Sequence, residues 1–176
     1  MAAIVYLQEF NGEAPGVATA KNGEAIQFKS EDDPTVEAPE AVTAGLTKPN
    51  AGVFRSFEKY LQVYLESLGG STNIGNLEVF ISGSSPDDGT AIFAKVAAEY
   101  DDPLVGGYLA GGAMEGPKTD LFTYTSEAPL VLGVGPFDTE LEAAGNFAIL
   151  QMEIYPSAAI GSTSNFSLVL RYDETT

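Results

Sequence analysis

Residues 54–68, FRSFEKYLQVYLESL, decide how this chain folds, because they satisfy two periodicities at once. Phe54, Phe57, Leu61, Tyr64, Leu65 and Leu68 fall at helical spacing and would make one apolar stripe. Phe57, Leu61, Val63 and Leu65 also alternate with Glu58, Tyr60, Gln62, Tyr64 and Glu66, as a half-buried strand requires. Lys59 alone spoils the inward row. The aromatic content, and the Gly69-Gly70-Ser71 stop that follows, favour the strand.

The flanking segments agree with that reading. Downstream, NIGNLEVFISGS sets Leu77, Val79 and Ile81 against Glu78, Phe80 and Ser82, a clearer strand. Upstream, AIVYLQEF (residues 3–10) is β-branched and aromatic and reads as a first strand. Asn22-Gly23 is a tight-hairpin signal, with Ala25–Lys29 as its expected returning strand. Residues 30–52 carry three prolines, five acids and little apolar bulk, and read as a loop or extended arm. Thr90–Tyr100 fits a strand or a short helix, and the glycine-rich residues 104–118 a mobile loop. Leu121–Thr125, Pro129–Val134, Phe147–Tyr155 and Phe166–Tyr172 read as further strands. Their spacing predicts an all-β, single-domain sandwich over residues 1–176, jelly-roll-like, with long loops. No internal repeat of fixed period is present.

Composition narrows the chemistry. The 176 residues suit one domain that buries about two thirds of its unfolded surface. Cysteine and histidine are both absent. That removes disulfides, thiolate zinc sites and every nucleophile system that uses a histidine base. A carboxylate pair or an activated lysine is what remains for catalysis. The net charge of −17, from 25 acids and 8 bases, repels phosphate backbones and anionic membranes, so neither nucleic acid nor membrane is an expected partner. It fits either plain solubility or complementarity to a basic protein surface. No run approaches the roughly 20 apolar residues that span a bilayer. The N-terminus, MAAIVYLQEF, lacks a basic region and reaches Gln8 and Glu9 too early for a signal peptide, so synthesis in the cytoplasm is expected.

Each candidate site has a simpler role beside it. Asp32-Asp33, Asp87-Asp88 and Asp101-Asp102 each lie beside proline or glycine, where Asp side chains ordinarily cap turns. A loop-bound Ca²⁺ is the sharper alternative, but the calcium-loop spacing is missing. A glycosidase pair would need a cleft, which usually carries tryptophan, and this chain has none. The segment YLAGGAMEGPK lacks phosphate-loop spacing, and Lys118 follows Pro117. Tyr60, Tyr64 and Phe80 fall on otherwise polar strand faces, as interface anchors, as a sugar platform, or beneath a covering second sheet. No catalytic, cofactor-binding or metal-ligating residue is assigned, and no cofactor is expected.

Two segments carry a resemblance: SFEKYLQVYLESLGGSTNIGNLEVFISGS (56–84) and FAILQMEIYPSAAIGSTSNFSLVLRYDET (147–175). The first pairs an EKYL-x-V-Y strand with N-I-x-N-L, a strand and a glycine-rich turn. The second has an LQ-x-E strand, a small-residue stretch and a closing strand ending in YDE. Together they resemble structural proteins of tailed-bacteriophage particles. The resemblance implies a non-enzymatic virion protein, assembled in the host cytoplasm. A capsid decoration (cement) protein bridging major capsid subunits is the first expectation. A neck or tail component, or an adhesive carbohydrate-binding sandwich, is the alternative. Expected partners are the major capsid protein or other virion proteins, with homo-oligomerisation. The acidic 30–52 stretch and the N-terminal strand are then expected as arms that order on a partner.

Overall fold

The structure is a computed structural model describing residues 1–37, 45–86, 88–104, 107, 112–159 and 166–176. Among the described residues, ten strands form two antiparallel sheets: β1 (Ile4–Asn11), β2 (Val17–Ala20), β3 (Phe54–Arg55), β4 (Lys59–Ser67), β5 (Asn73–Gly83), β6 (Thr90–Ala97), β7 (Thr119–Asp120), β8 (Leu130–Gly133), β9 (Glu142–Ile154) and β10 (Phe166–Thr175). The large sheet runs β2-β1-β4-β9-β6-β7, with β3 also on β9, and the small sheet runs β10-β5-β8. The chain is all-β, as the alternating pattern predicts.

The stretch 54–68 is extended. Leu61, Val63 and Leu65 of β4 are wholly buried and point at Ile74, Leu77 and Val79 of β5 within one core cluster. Leu7, Ile92, Ala94, Leu150 and Met152 complete the large sheet's inner face, and Leu130 and Leu132 the small sheet's. The helical reading fails because β4 has a sheet neighbour on each side. β1 pairs it through Tyr6–Tyr64 and β9 through Tyr60–Ile149, so every second side chain meets a buried face. β9 is buried on both faces from Phe147 to Ile154, which explains a run too apolar to alternate. At its start β9 bulges: Val63 faces Ala144 but Leu61 faces Ala148. Gly145 sits in the bulge at φ +73°, where a Cβ would lie 2.9 Å from Leu132 O. Only glycine fits such a turn against a neighbouring strand.

Four expectations are corrected. Ala25–Lys29 forms no strand; the partner of β1 is the earlier segment Val17–Ala20, and Asn22-Gly23 makes a bend with no hairpin. Leu121–Thr125 is mostly a 3-10 turn over Leu121–Thr123, started by the Asp120 carboxylate accepting from Phe122 N–H. The N-terminal strand is no free arm, since β1 lies between β2 and β4. The acidic stretch, as far as Glu37, is held by its own chain; residues 38–44 lie outside the described residues. Most of the glycine-rich loop, residues 105, 106 and 108–111, also lies outside them, while the described Met114 is buried against the sheet.

What holds residues 30–37 is a set of buried lysines. Lys59 continues the inward row of Leu61 and is fully buried, with Nζ 2.7 Å from Glu9 Oε1 and 2.8 Å from Asp33 O. Lys21 Nζ lies 3.3 Å from Glu9 Oε2 and donates to Pro34 O at 2.5 Å. Lys29 Nζ donates to Asp33 Oδ2 at 2.7 Å, and Lys29 O accepts from Phe57 N at 3.0 Å. A buried cation without acceptors costs several kcal/mol, so the lysines bind this segment's carbonyls and carboxylates from beneath. The Lys29 contact, followed by the Thr35 hydroxyl and N–H, drives the Asp33 carboxyl far below its ordinary pKa.

Core continuity makes a direct prediction. Leu65→Ala removes a wholly buried side chain from between the sheets. It should lower unfolding free energy by about 2–5 kcal/mol, read as an earlier urea midpoint with an unchanged slope.

A candidate docking face and the groove beside it

On the outer side of the large sheet, β1 and β4 oppose their outward residues as a ladder: Tyr6 with Tyr64, Gln8 with Gln62, and Phe10 with Tyr60. The Tyr6 and Tyr64 rings lie 5.3 Å apart at 38°, within the range of favourable aromatic pairs. Gln62 Nε2 donates to Gly145 O at 2.6 Å, tying the ladder to the β9 bulge.

One end of the ladder is covered and the other is not. The Tyr100 ring packs 4.8 Å from Tyr60, and Phe10 meets Phe147 edge-on at 5.2 Å. The Tyr100 hydroxyl donates to Gly12 O at 2.5 Å. Tyr60 is left only 4% exposed, while Tyr6 and Tyr64 stay half-exposed. The cover over Tyr60 is the loop after β6 and not a second sheet. Phe80 lies on the far side of the molecule, on the small sheet's outer face, where the Arg171 guanidinium sits 5.3 Å from its ring. Of the three aromatics singled out in the sequence, the structure brings only Tyr60 and Tyr64 together.

Beside Tyr60 lies an open groove of about 580 Å³, lined by Ile149 and by Lys95, Ala97, Glu99, Tyr100 and Asp101 around the end of β6. Glu58, next but one to Tyr60 in the chain, is 1% exposed. Its Oε2 accepts from Leu104 N at 3.2 Å, and its buried Oε1 has only Lys95 Nζ at 3.9 Å. Burial pushes the Glu58 carboxyl above its usual pKa, more than the Leu104 N–H and Lys95 pull it back. Burial also raises the Tyr60 and Tyr100 hydroxyls, reinforced by Glu58 at the first and Asp32 at the second. Both phenols are therefore hydrogen-bond donors at neutral pH.

Further along, Glu153 is neutralised more fully. Burial alone would raise its pKa, but hydrogen bonds from Lys118 (2.8 Å), Tyr155 (2.8 Å) and Arg55 (3.0 Å) lower it. Gln151 is wholly buried and bridges the sheet to the loop, accepting from Met114 N at 2.8 Å and donating to Gly112 O at 2.6 Å.

The acid pairs separate into local roles. Asp32 Oδ2 accepts from Gly12 N and Asp102 Oδ1 from Ala14 N, both at 2.6 Å, so each pair fastens the turn after β1. Asp88 is exposed, and Asp87 lies outside the described residues. Among the described residues no group of three or more carboxylates is placed to hold a metal ion. Sequence reasoning missed Glu9, Lys21, Lys29, Glu58 and Glu153 as buried charges. The available signals were Lys59 in an apolar row and Glu9 at the inward position two residues after Leu7.

Glu58 gives a pH-dependent prediction. A carboxyl whose folded pKa exceeds its unfolded value favours folding while protonated; this advantage holds below the unfolded pKa and is lost as pH rises through the folded one. Glu58→Gln should therefore raise the melting temperature at pH 7, with the gain shrinking towards pH 4, as differential scanning calorimetry would show.

Comparison with known proteins gives no match to this chain among family models, curated proteins or solved structures.

Proposed function

We propose that the chain is a non-enzymatic structural protein of a tailed-phage particle, a decoration protein that bridges major capsid subunits through the Tyr6/Tyr64 face. One juxtaposition carries the reading: a half-exposed aromatic ladder on a surface whose positive charges are already engaged. Lys21, Lys29 and Lys59 are buried, and Arg55, Lys95, Lys118 and Arg171 are ion-paired. Among the described residues, Lys48 is the base outside these pairs. The buried lysines are matched by buried Glu9, Glu58 and Glu153, so the net charge of −17 lies at the surface, with Glu13, Glu66, Glu99, Asp101, Glu140 and Glu142 all exposed. Tyrosines give large, rigid contact area at low entropic cost, and an acidic surround selects a basic partner surface.

Many modest contacts repeated over a shell would add through avidity, without any one being strong. The ladder suits such use because its two strands lie inside the sheet, so docking needs no rearrangement of the fold.

Quantitative mass spectrometry of purified particles tests the assignment. On the order of hundreds of copies per particle are expected for a bridging layer. A dozen or fewer would move the protein to the neck or tail, and absence would overturn the proposal. Tyr6→Ser with Tyr64→Ser should preserve the melting temperature within a few degrees, yet abolish rebinding to particles stripped of the protein.

A further inference from the structure

β1 and β4 bring three groups of matched reactivity to one buried end of the inner face. Glu9 and Asn11 lie two residues apart on β1 and so share a face. The register sets Phe10 against Tyr60, and Asn11 and Lys59 are the residues next to that pair on their strands. Glu9 Oε1 accepts from Lys59 Nζ at 2.7 Å and from Asn11 Nδ2 at 3.3 Å, so an amine and a carboxamide meet at one carboxylate oxygen. Glu9 and Lys59 are 0% exposed and Asn11 7%. Asn11 Nδ2 also donates to Asp32 Oδ1 at 2.6 Å, whereas Asn11 Oδ1 is buried with no hydrogen-bond partner. Buried amide oxygens are rarely left so.

We propose that Lys59 and Asn11 become joined by an intramolecular amide bond, with Glu9 as the proton-transfer group. The reaction begins when one proton of the Lys59 ammonium passes to Glu9 along the 2.7 Å hydrogen bond that joins them. The Nζ lone pair attacks Asn11 Cγ, and the carbonyl electrons move onto Oδ1. On collapse the C=O re-forms and the Cγ–Nδ2 bond breaks. Glu9 delivers its proton to the departing nitrogen and accepts the remaining one from Nζ, which it then passes on. In total a lysine ammonium and a carboxamide become a secondary amide and an ammonium ion, with no change of oxidation level and no co-reactant. Asp32 already holds Nδ2 and receives the leaving ammonium. Lys21, 3.3 Å from Glu9 Oε2, supplies a second positive charge as Oδ1 becomes negative. In a chain without cysteine, this bond would link two neighbouring strands covalently where no disulfide can.

Intact-mass spectrometry of the purified full chain decides the matter. The expected mass is about 17 Da below that of the sequence, the loss of one ammonia on amide formation by a lysine nucleophile. A full mass would overturn the proposal. Ring closure at Asn11-Gly12 loses the same mass, so the position must be read too. Proteolysis should release a branched peptide joining residues 11 and 59, and Lys59→Arg should restore the full mass. A loss that persists in Lys59→Arg would assign it to ring closure and sink the cross-link. Glu9→Gln keeps both partners and should also restore the full mass; cross-linking at wild-type yield would overturn the role given to Glu9. Should either variant fail to fold, the wild-type mass and branched peptide still decide whether the bond exists.

Discussion

The contact between Glu9 and Lys59 governs the rest of the structure, because it sits in the inward rows of the two strands that centre one half of the large sheet. Each ion pays a desolvation penalty of several kcal/mol, and their attraction offsets it only with good geometry and further hydrogen bonds. The 2.7 Å contact, the Asp33 carbonyl that accepts from Lys59 and the Asn11 amide that donates to Glu9 provide these, and Lys21 adds a charge 3.3 Å from Glu9 Oε2. The pair also constrains register. A one-residue slip of β4 would turn Lys59 to the outer face and Tyr60 inward, where its hydroxyl would meet the aliphatic core. Leu61, Val63 and Leu65 would move with it. The charged pair thus opposes a slip that an all-apolar row would resist less sharply.

From that point the distribution of charge follows. Three lysines in the interior require acceptors, and the proline-rich acidic segment provides them as a lid over the end of the sandwich. Its described residues 30–37 lie in no strand, and Pro34 cannot donate to a ladder, so they contribute carbonyls and carboxylates instead. Buried Glu9, Glu58 and Glu153 balance the three lysines, so the acidic excess of the whole sequence lies outside. The outer aromatic ladder is its geometric counterpart: Tyr60 shares a strand with Lys59, and the two point to opposite sides.

Much of this was legible in short stretches and little of it across long ones. Leu77, Val79 and Ile81 alternate cleanly and are a strand, because burial on one face alone imposes a period of two. Phe54–Leu68 resolved only by weighing periodicities, since two sheet neighbours are needed to tell a strand from a helix. Ala25–Lys29 looked like a returning strand, yet Lys29 spends its backbone carbonyl on Phe57 and its amine on Asp33. Thr119–Thr123 became a short strand and a turn because Asp120 caps it locally. The buried cluster was not legible at all. It joins residues 9, 11, 21, 29, 33 and 59, and no local pattern records contacts between segments so far apart. The traces were Glu9 at an inward position and one exception, a lysine where an apolar residue was due.

That exception also connects the two sides of the sheet. The Tyr6/Tyr64 pair and the Glu9–Asn11–Lys59 group lie on the same two strands, on opposite faces. A docked partner pulling on the ladder loads the hydrogen bonds between β1 and β4, which yield one after another when strands are peeled from an end. An amide between Asn11 and Lys59 would close that end of the pair, so that load is shared along the ladder and not concentrated at its last bond. A surface that must hold under sustained load gains more from such a closure than an enzyme pocket would. On this view the interior charges and the exterior tyrosines serve one purpose, a rigid two-strand platform presented from within a sheet.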